Sequence, residues 1–198
     1  VQRDLALFYL DLGMDELAFI TATHPSTLGS VIALTGDFEE ARRLSKVDPD
    51  EYAYAALISG ENDLAYGIFR EEVTQVDFAE KTGFGVNQLF FFTELAYILS
   101  TKNDPDAERI LNKIEAVLEV DLGGELQLLS SLIANAAVKM MKNDQDEAMK
   151  FLLDAASQGH SFLRIMHHPI FTPLSNHPQF VSVIERMETN ASLYKPEI

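Results

Sequence analysis

Histidines are the residues best suited to chemistry in this sequence, and four of the five lie between His160 and His177. Imidazole binds metal ions and titrates near neutral pH, so a metal site on His167, His168 and His177 and a pH response are both conceivable. Adjacent side chains on a helix point apart, which disfavours chelation by the neighbouring pair. His168 and His177 also precede prolines, as residues that cap helices in turns often do. We therefore expect capping histidines and no metal site, with a pH response of the cluster as an alternative.

Other arrangements that carry out catalysis are missing from the sequence. Without cysteine there is no thiol nucleophile, disulfide or thiolate metal site. No phosphate-binding glycine loop, nucleophile elbow or zinc-protease pair is present. The acidic pairs Glu39-Glu40 and Glu71-Glu72 are neighbours on predicted helices, so their carboxylates do not face each other. The turn Asn143–Asp146 lacks the glycine and bidentate glutamate of a calcium loop. We expect no catalytic residues and no cofactor, and hence a protein that is not an enzyme.

The charge of the chain limits its partners. Its 198 residues include 31 acidic and 15 basic ones, for a net charge of −16. Nucleic acid binding needs clustered Lys and Arg, and anionic membrane surfaces attract basic segments, so neither is an expected partner. An acidic chain suits a basic protein or peptide, although surface charge also serves solubility alone.

No segment of the sequence is predicted to span a membrane. The most apolar stretch, Leu89 to Leu99, is interrupted by Glu94 and is much shorter than the ~18 apolar residues that a span requires. The lack of cysteine fits both the cytoplasm and the periplasm. We favour the cytoplasm, with the periplasm as the alternative if the chain belongs to a membrane-anchored regulator.

A helix–turn–helix pattern recurs along the chain and must position all of these residues. In the segment from Ala33 to Leu44, Gly36 suits the left-handed conformation that ends a helix, Asp37 suits the N-cap of the next helix, and Glu40 completes a capping box. Similar turns, some with Asn or Asp in place of Gly, occur at residues 12–18, 59–65, 102–107 and 142–148. The pattern predicts five helical hairpins.

Small residues recur at matching places on both helices of each predicted hairpin. An alanine follows every turn, and another small residue lies twelve positions before it, or eleven in one hairpin. Paired small residues let antiparallel helices approach closely. Single hairpins cannot bury enough apolar surface alone, so they must stack. The five pairs are Ala6 with Ala18, Gly29 with Ala41, Ala53 with Ala65, Ala96 with Ala107, and Ala136 with Ala148.

These paired residues resemble the tetratricopeptide repeat (TPR) in a degenerate form. The resemblance implies an all-α fold of stacked antiparallel hairpins, a TPR-like α-solenoid, over residues 1–157. The alanines after successive turns are 23, 24, 42 and 41 residues apart instead of 34. We therefore predict short helices in the first three hairpins and long ones in the last two.

The closing segment, predicted over residues 158–190, has a different pattern. It resembles the segment that often follows TPR arrays in bacterial regulators, in which two Asp-Pro elements precede a capping helix. Here His168 and His177 stand where Asp is usual, and Gln179 stands where Arg is usual. We expect residues 191–198 to form a frayed tail. The capping helix should seal the last hairpin with the apolar stripe Phe180, Val183, Ile184 and Met187.

The aromatic run Phe90-Phe91-Phe92 covers most of the circumference of its predicted helix. At least one ring must therefore leave the helix's own core stripe. We expect it to pack on the preceding hairpin, with a position in the binding groove as the alternative.

The TPR resemblance implies that the first helices of the hairpins line a concave, partner-binding face. Its groove-facing positions are three before and one after the small residue of each first helix. From these we predict a partner site of Arg3, Ser26, Asp50, Tyr54, Thr93 and Tyr97. The remaining positions in the same register are Leu7, Ser30, Ile133 and Ala137.

These observations favour a non-catalytic interaction scaffold that binds a peptide or partner domain on its concave face. The alternative is a C-terminal sensory or regulatory domain of a larger bacterial transcription regulator or signalling protein. The closing segment supports that alternative, as does a sequence that begins at Val1 without a Met.

Overall fold

The structure of the chain is a computed structural model that describes residues 2–33, 38–45, 49–82, 89–121 and 129–194. All regular secondary structure in these ranges is helical. The all-α prediction is therefore confirmed. The first six helices are α1 Gln2–Asp11, α2 Asp15–Thr21, α3 Pro25–Ala33, α4 Phe38–Ser45, α5 Pro49–Ile58 and α6 Asn62–Thr82.

The next four helices are α7 Leu89–Ser100, α8 Asp106–Asp121, α9 Leu129–Met141 and α10 Gln145–Ser157. Two 3₁₀ turns follow, Leu163–Met166 and Thr172–Asn176, and the last helix is α11 Pro178–Ser192.

Left-handed residues end the first helix of four hairpins, as the turn pattern predicts. Gly13 and Gly60 have φ values of 63° and 76°, and Asn103 and Asn143 have values of 54° and 60°. Glycine reaches this region without penalty and asparagine tolerates it, so both residue types can reverse the chain after a helix. The predicted equivalent, Gly36, lies outside the described residues.

Aspartates after two of these turns cap the helices that follow. An Asp104 carboxylate oxygen accepts the backbone N–H of Asp106 at 3.0 Å. The Asp144 carboxylate accepts the N–H of Glu147 at 3.2 Å. Each bond satisfies an N–H at the start of a helix that has no intrahelical partner. The turn at Asn143–Asp146 is therefore a helix-capping turn, as expected.

The paired small residues are buried between their helices. The nine alanines of the five pairs are at most 6% exposed, and Gly29 is also buried. The burial of all ten paired small residues supports close approach of the two helices in each hairpin.

Helix lengths correct one prediction. The first five helices have 7 to 10 residues, as expected for short hairpins. The sixth, α6, has 21 residues although it belongs to the third hairpin. The wide spacing between Ala65 and Ala107 thus arises partly from a long second helix in the third hairpin, and the prediction of three short hairpins is wrong there.

The described chain forms two compact units. The first comprises Val1–Ile68 and Ala156–Ile198, and the second comprises Phe69–Ala155. The closing segment is thus part of the same unit as the first hairpins, whereas the sequence analysis predicts residues 158–190 as a separate segment. In the first unit Ala6 and Leu10 of α1 pack with Ala18, Ala22 and Val31.

Contacts across a long sequence separation hold the closing segment in the first unit. The Leu163–Met166 turn packs on both α1 and α11. The Ser161 hydroxyl donates to the Asp11 carbonyl oxygen at 2.7 Å. The Asn190 amide donates to the carbonyl oxygens of Ala156 and His160, both at 2.8 Å. The C-terminal residues therefore connect the end of α10 with the start of the chain.

The final helix buries most of its predicted stripe, but its end was placed too early. Phe180, Val183 and Met187 are buried and Ile184 is half-buried. The helix continues through Ser192, and Ala191 is buried, because the hydrogen bonds of Asn190 anchor this turn. Residues 191 and 192 are therefore helical, not frayed, and residues 195–198 lie outside the described ranges.

In the second unit, side chains of α6 contact the hairpin that follows it. The rings of Phe69 and Phe91 lie 5.8 Å apart, so one ring of the aromatic run packs on the preceding helix as expected. Arg70 forms ion pairs with Asp104 at 3.2 Å and Asp106 at 3.0 Å, at the turn before α8. Both pairs link α6 to the α7–α8 hairpin.

Candidate partner-binding surface

The predicted partner site is distributed over both units. Arg3, Ser26 and Asp50 lie in α1, α3 and α5, but their side chains are outside the described part of the structure. Tyr54 lies in α5 of the first unit and is half-buried. Thr93 and Tyr97 lie in α7 of the second unit. The site is therefore described one unit at a time.

Thr93 is fully buried and its hydroxyl is already used. The hydroxyl donates to the Leu89 carbonyl oxygen, one turn earlier in α7, at 2.7 Å. A partner cannot reach this side chain while α7 keeps its packing. We therefore leave Thr93 out of the proposed surface.

The same register on α9 is buried too. Ile133 and Ala137 have almost no exposed surface, and residues 131–138 are buried without interruption. Asn135 satisfies its amide inside the helix by donating to the Ser131 carbonyl oxygen at 2.9 Å. The two positions of α9 that the TPR resemblance assigns to the groove are therefore both buried. The helix is covered on all sides from residue 131 to residue 138.

Among the predicted groove-facing residues of the second unit, Tyr97 is the one that is partly exposed in the part of the chain that the structure describes. It is half-buried in α7, and burial raises the pKa of its phenol group, which stays protonated at neutral pH. A half-buried tyrosine offers a partner a rigid ring and a hydroxyl that both donates and accepts hydrogen bonds. Tyr54 is a second half-buried tyrosine of the predicted site and lies in the first unit.

The histidine cluster has a structural role in the described residues. The N–H of Ile170 donates to Nδ1 of His168, and the N–H of Gln179 donates to Nδ1 of His177, both at 3.3 Å. His168 is buried, whereas His167 is exposed. No cluster of three or more potential metal ligands occurs in the part of the chain that the structure describes.

His160 is partly buried near the start of the closing segment. Partial burial lowers the pKa of its imidazole, since desolvation disfavours the charged form. Its carbonyl oxygen, not its ring, accepts the hydrogen bond from Asn190.

One surface was not predicted from the sequence. Leu5 and Phe8 of α1 are exposed, and the Phe8 ring contacts that of Tyr194 at a centroid distance of 6.5 Å. A signal for it exists in α1, where five of the six residues from Leu5 to Leu10 are large and apolar. One helix stripe cannot bury that many side chains, so some must face outward.

Comparisons with known proteins identify no relative of this chain. No protein-family model matches the chain, and no curated protein or solved structure is similar to it at a significant level. Among the described residues, no helix is both long and apolar enough to cross a lipid bilayer.

Proposed function

We propose that the chain is a non-catalytic protein-interaction scaffold built from TPR-like hairpins. The observation that carries this proposal is the burial of the paired small residues, which recur in five hairpins and are at most 6% exposed where alanine. The two small residues of each hairpin are eleven or twelve positions apart. Stacked repeats of such a hairpin present successive helix faces to an extended partner. In this proposal the hairpins stack as a TPR-like solenoid.

Tyr54 in the first unit and Tyr97 in the second are the proposed contact residues. Each follows directly after the small residue of its first helix, and each is half-buried. Tyrosine supplies contact area and hydrogen bonds with few rotatable bonds to immobilise, which makes it a frequent binding residue. With 31 acidic residues on the chain, the favoured partner is a basic peptide or protein segment.

Selection from a library of random peptides tests this function. We expect the enriched peptides to be rich in Lys and Arg. We expect Tyr54→Ala or Tyr97→Ala to weaken their binding by about tenfold or more, which corresponds to roughly 1.4 kcal/mol. The matched control is Tyr52→Ala, because Tyr52 is also half-buried in α5 but lies two residues from Tyr54 on another side of the helix.

The binding data decide the proposal together with thermal unfolding. The Tyr54→Ala and Tyr52→Ala variants should have similar melting temperatures, so that a difference in binding reflects lost contacts. Equal peptide affinity for all variants would contradict the assignment of the two tyrosines. A failure to enrich any peptide would contradict the scaffold function.

A second candidate function is regulation within a larger bacterial protein. The capped His168 and His177 turns favour it, because they occupy the place of the two Asp-Pro elements that the closing segment resembles. The reading frame of the full gene tests this candidate. A winged-helix, cyclase or kinase region upstream of Val1 would support it, and a secretion signal directly before Val1 would contradict it.

A further inference from the structure

Exposed large apolar side chains are unevenly distributed between the two units. Among the side chains whose exposure the structure describes, every exposed large apolar one lies in the first unit. Scattered exposed apolar residues are ordinary, but a local concentration of them marks interaction surfaces. The residues are Leu5, Phe8, Phe19, Ile20, Met166, Val181, Leu193 and Tyr194.

Three of these residues form what we call the terminal patch: Leu5, Phe8 and Tyr194. Leu5 is one helical turn before Phe8, so both side chains lie on the same face of α1. The Phe8 and Tyr194 rings meet edge to face, at an interplanar angle of 74°. They nevertheless remain 48% and 58% exposed, and Leu5 remains 40% exposed. Their mutual contact thus leaves about half of the surface of each residue exposed.

The terminal patch is held in place by buried neighbours. Ala6 and Leu10 fix α1 in the core of the first unit. The side chain of Asn190 hydrogen-bonds two backbone carbonyls and so fixes the last turn of α11, just before Tyr194. A preorganised apolar surface loses little conformational entropy on binding, which favours its use as an anchor site.

The negative charge of the first hairpin indicates which kind of partner the terminal patch binds. Between Gln2 and Thr21 the sequence has four acidic residues, Asp4, Asp11, Asp15 and Glu16, against the single basic Arg3. Asp15 and Glu16 are exposed at the start of α2. A second copy of the chain would bring like charges together, and an anionic lipid surface would be repelled as well. A segment with apolar residues flanked by Lys or Arg complements both features.

We propose that the terminal patch binds a basic amphipathic segment of a partner protein. The segment places apolar side chains on Leu5, Phe8 and Tyr194 and directs its Lys or Arg residues toward the acidic first hairpin. The terminal patch does not include Tyr54 or Tyr97, so this proposal can be tested independently of the function proposed above.

Two synthetic peptides test the proposal by fluorescence anisotropy with the full chain. One is an amphipathic helix of Leu and Lys, and the other is the same pattern with Glu in place of Lys. We expect the Leu/Lys peptide to bind and the Leu/Glu peptide not to bind. Phe8→Ala and Tyr194→Ala should each weaken binding by about tenfold or more, as for anchor residues.

Val181→Ala is the matched control. Val181 is 54% exposed and lies in the first turn of α11, whereas Tyr194 follows the end of this helix of 15 residues. Val181 is therefore about 17 Å along the helix axis from Ser192, the last helical residue before Tyr194. We expect Val181→Ala to bind the Leu/Lys peptide as the unaltered chain does. Tyr194 is more than half exposed, so its variant should keep the melting temperature and remain decisive even if Phe8→Ala unfolds.

Three results would overturn the proposal. Equal binding by all variants would mean that the Leu/Lys peptide responds only to net charge. Binding of the Leu/Glu peptide with the same affinity would remove the charge argument. A chain that dimerises in solution and becomes monomeric on Phe8→Ser substitution would show that the patch is an interface between copies.

Discussion

At the scale of single residues, two histidines perform a function that aspartate usually has. In both His-Pro turns, Nδ1 of the imidazole accepts the backbone N–H two residues later. A carboxylate oxygen in an Asp-Pro turn can accept the same N–H, which is why short polar side chains are preferred at helix starts. The imidazole therefore makes the hydrogen bond that a carboxylate makes in an Asp-Pro turn.

Substitutions at His177, the N-cap of α11, test this equivalence. We expect His177→Ala to lower the free energy of unfolding by about 1 kcal/mol, since the N–H of Gln179 loses its side-chain acceptor. His177→Asp should retain the bond and gain a favourable interaction with the helix dipole, so its stability should equal or exceed that of the unaltered chain. Urea unfolding at neutral pH measures both. The exposed His167→Ala is the control, and an aspartate variant as unstable as the alanine variant would refute the capping role.

Residue types alone predicted some local features well. Asn103 and Asn143 were expected in turns and adopt positive φ, because few residues tolerate that backbone conformation. Thr93 was placed in a groove and is instead fully buried. Its exposure depends on which helices cover α7, and that is decided by distant parts of the chain, not by the local pattern.

At the scale of elements, the turn between α1 and α2 does more than reverse the chain. Gly13 adopts a φ of 63°, and a Cβ atom at this position would lie 3.0 Å from the Cδ1 atom of Leu163 in the closing segment. Gly60, in the turn between α5 and α6, has a similar φ of 76° but open space around the same position. Of these two turns, the first leaves little room for a Cβ atom and the second leaves open space, whereas both have a backbone conformation that favours glycine.

The two glycines form a matched pair for mutagenesis. Each Gly→Ala change forces alanine into the left-handed region, at a cost of about 1–2 kcal/mol. We expect Gly13→Ala to be the more destabilising change, because its methyl group also displaces Leu163. Thermal and urea unfolding measure the difference. Repeating both substitutions in a Leu163→Ala background should remove the excess, and an excess that persists there would mean that Leu163 is not its cause.

The elements also show where sequence periodicity stops being informative. Turn residues and small-residue pairs predicted the hairpins because they act within about twenty residues of each other. The length of α6 escaped prediction, since the spacing between Ala65 and Ala107 can be filled by a long second helix or by a long first helix. Only packing against neighbouring elements decides between these two.

At the scale of the whole molecule, the chain returns to its starting unit. Ser161 contacts Asp11 across 150 positions of sequence, and Tyr194 contacts Phe8. No local pattern in the sequence encodes such a pairing, so the closing segment was predicted only as a cap for the last hairpin. The same return creates the terminal patch, whose residues come from both ends of the chain.

Net charge is a property of the whole molecule that affects its stability. The charge of −16 makes the folded state repel itself, and the repulsion is relieved on unfolding. Raising NaCl from about 10 mM to about 150 mM shortens the Debye length from about 30 Å to about 8 Å. We expect the melting temperature to rise by a few degrees over this range, because exposed ion pairs such as Glu147 with Lys150 contribute too little for their screening to reverse the gain.

A charge-reduced variant separates this repulsion from other effects of salt. Glu119 and Glu188 are exposed near the C-terminal ends of α8 and α11, where a negative charge opposes the helix dipole. Replacing both by Gln changes the net charge from −16 to −14. The double variant should melt at a higher temperature than the unaltered chain in low salt and should gain less from added NaCl. Identical salt responses in calorimetry would show that self-repulsion does not limit stability, because removing acidic charges would then leave the effect unchanged.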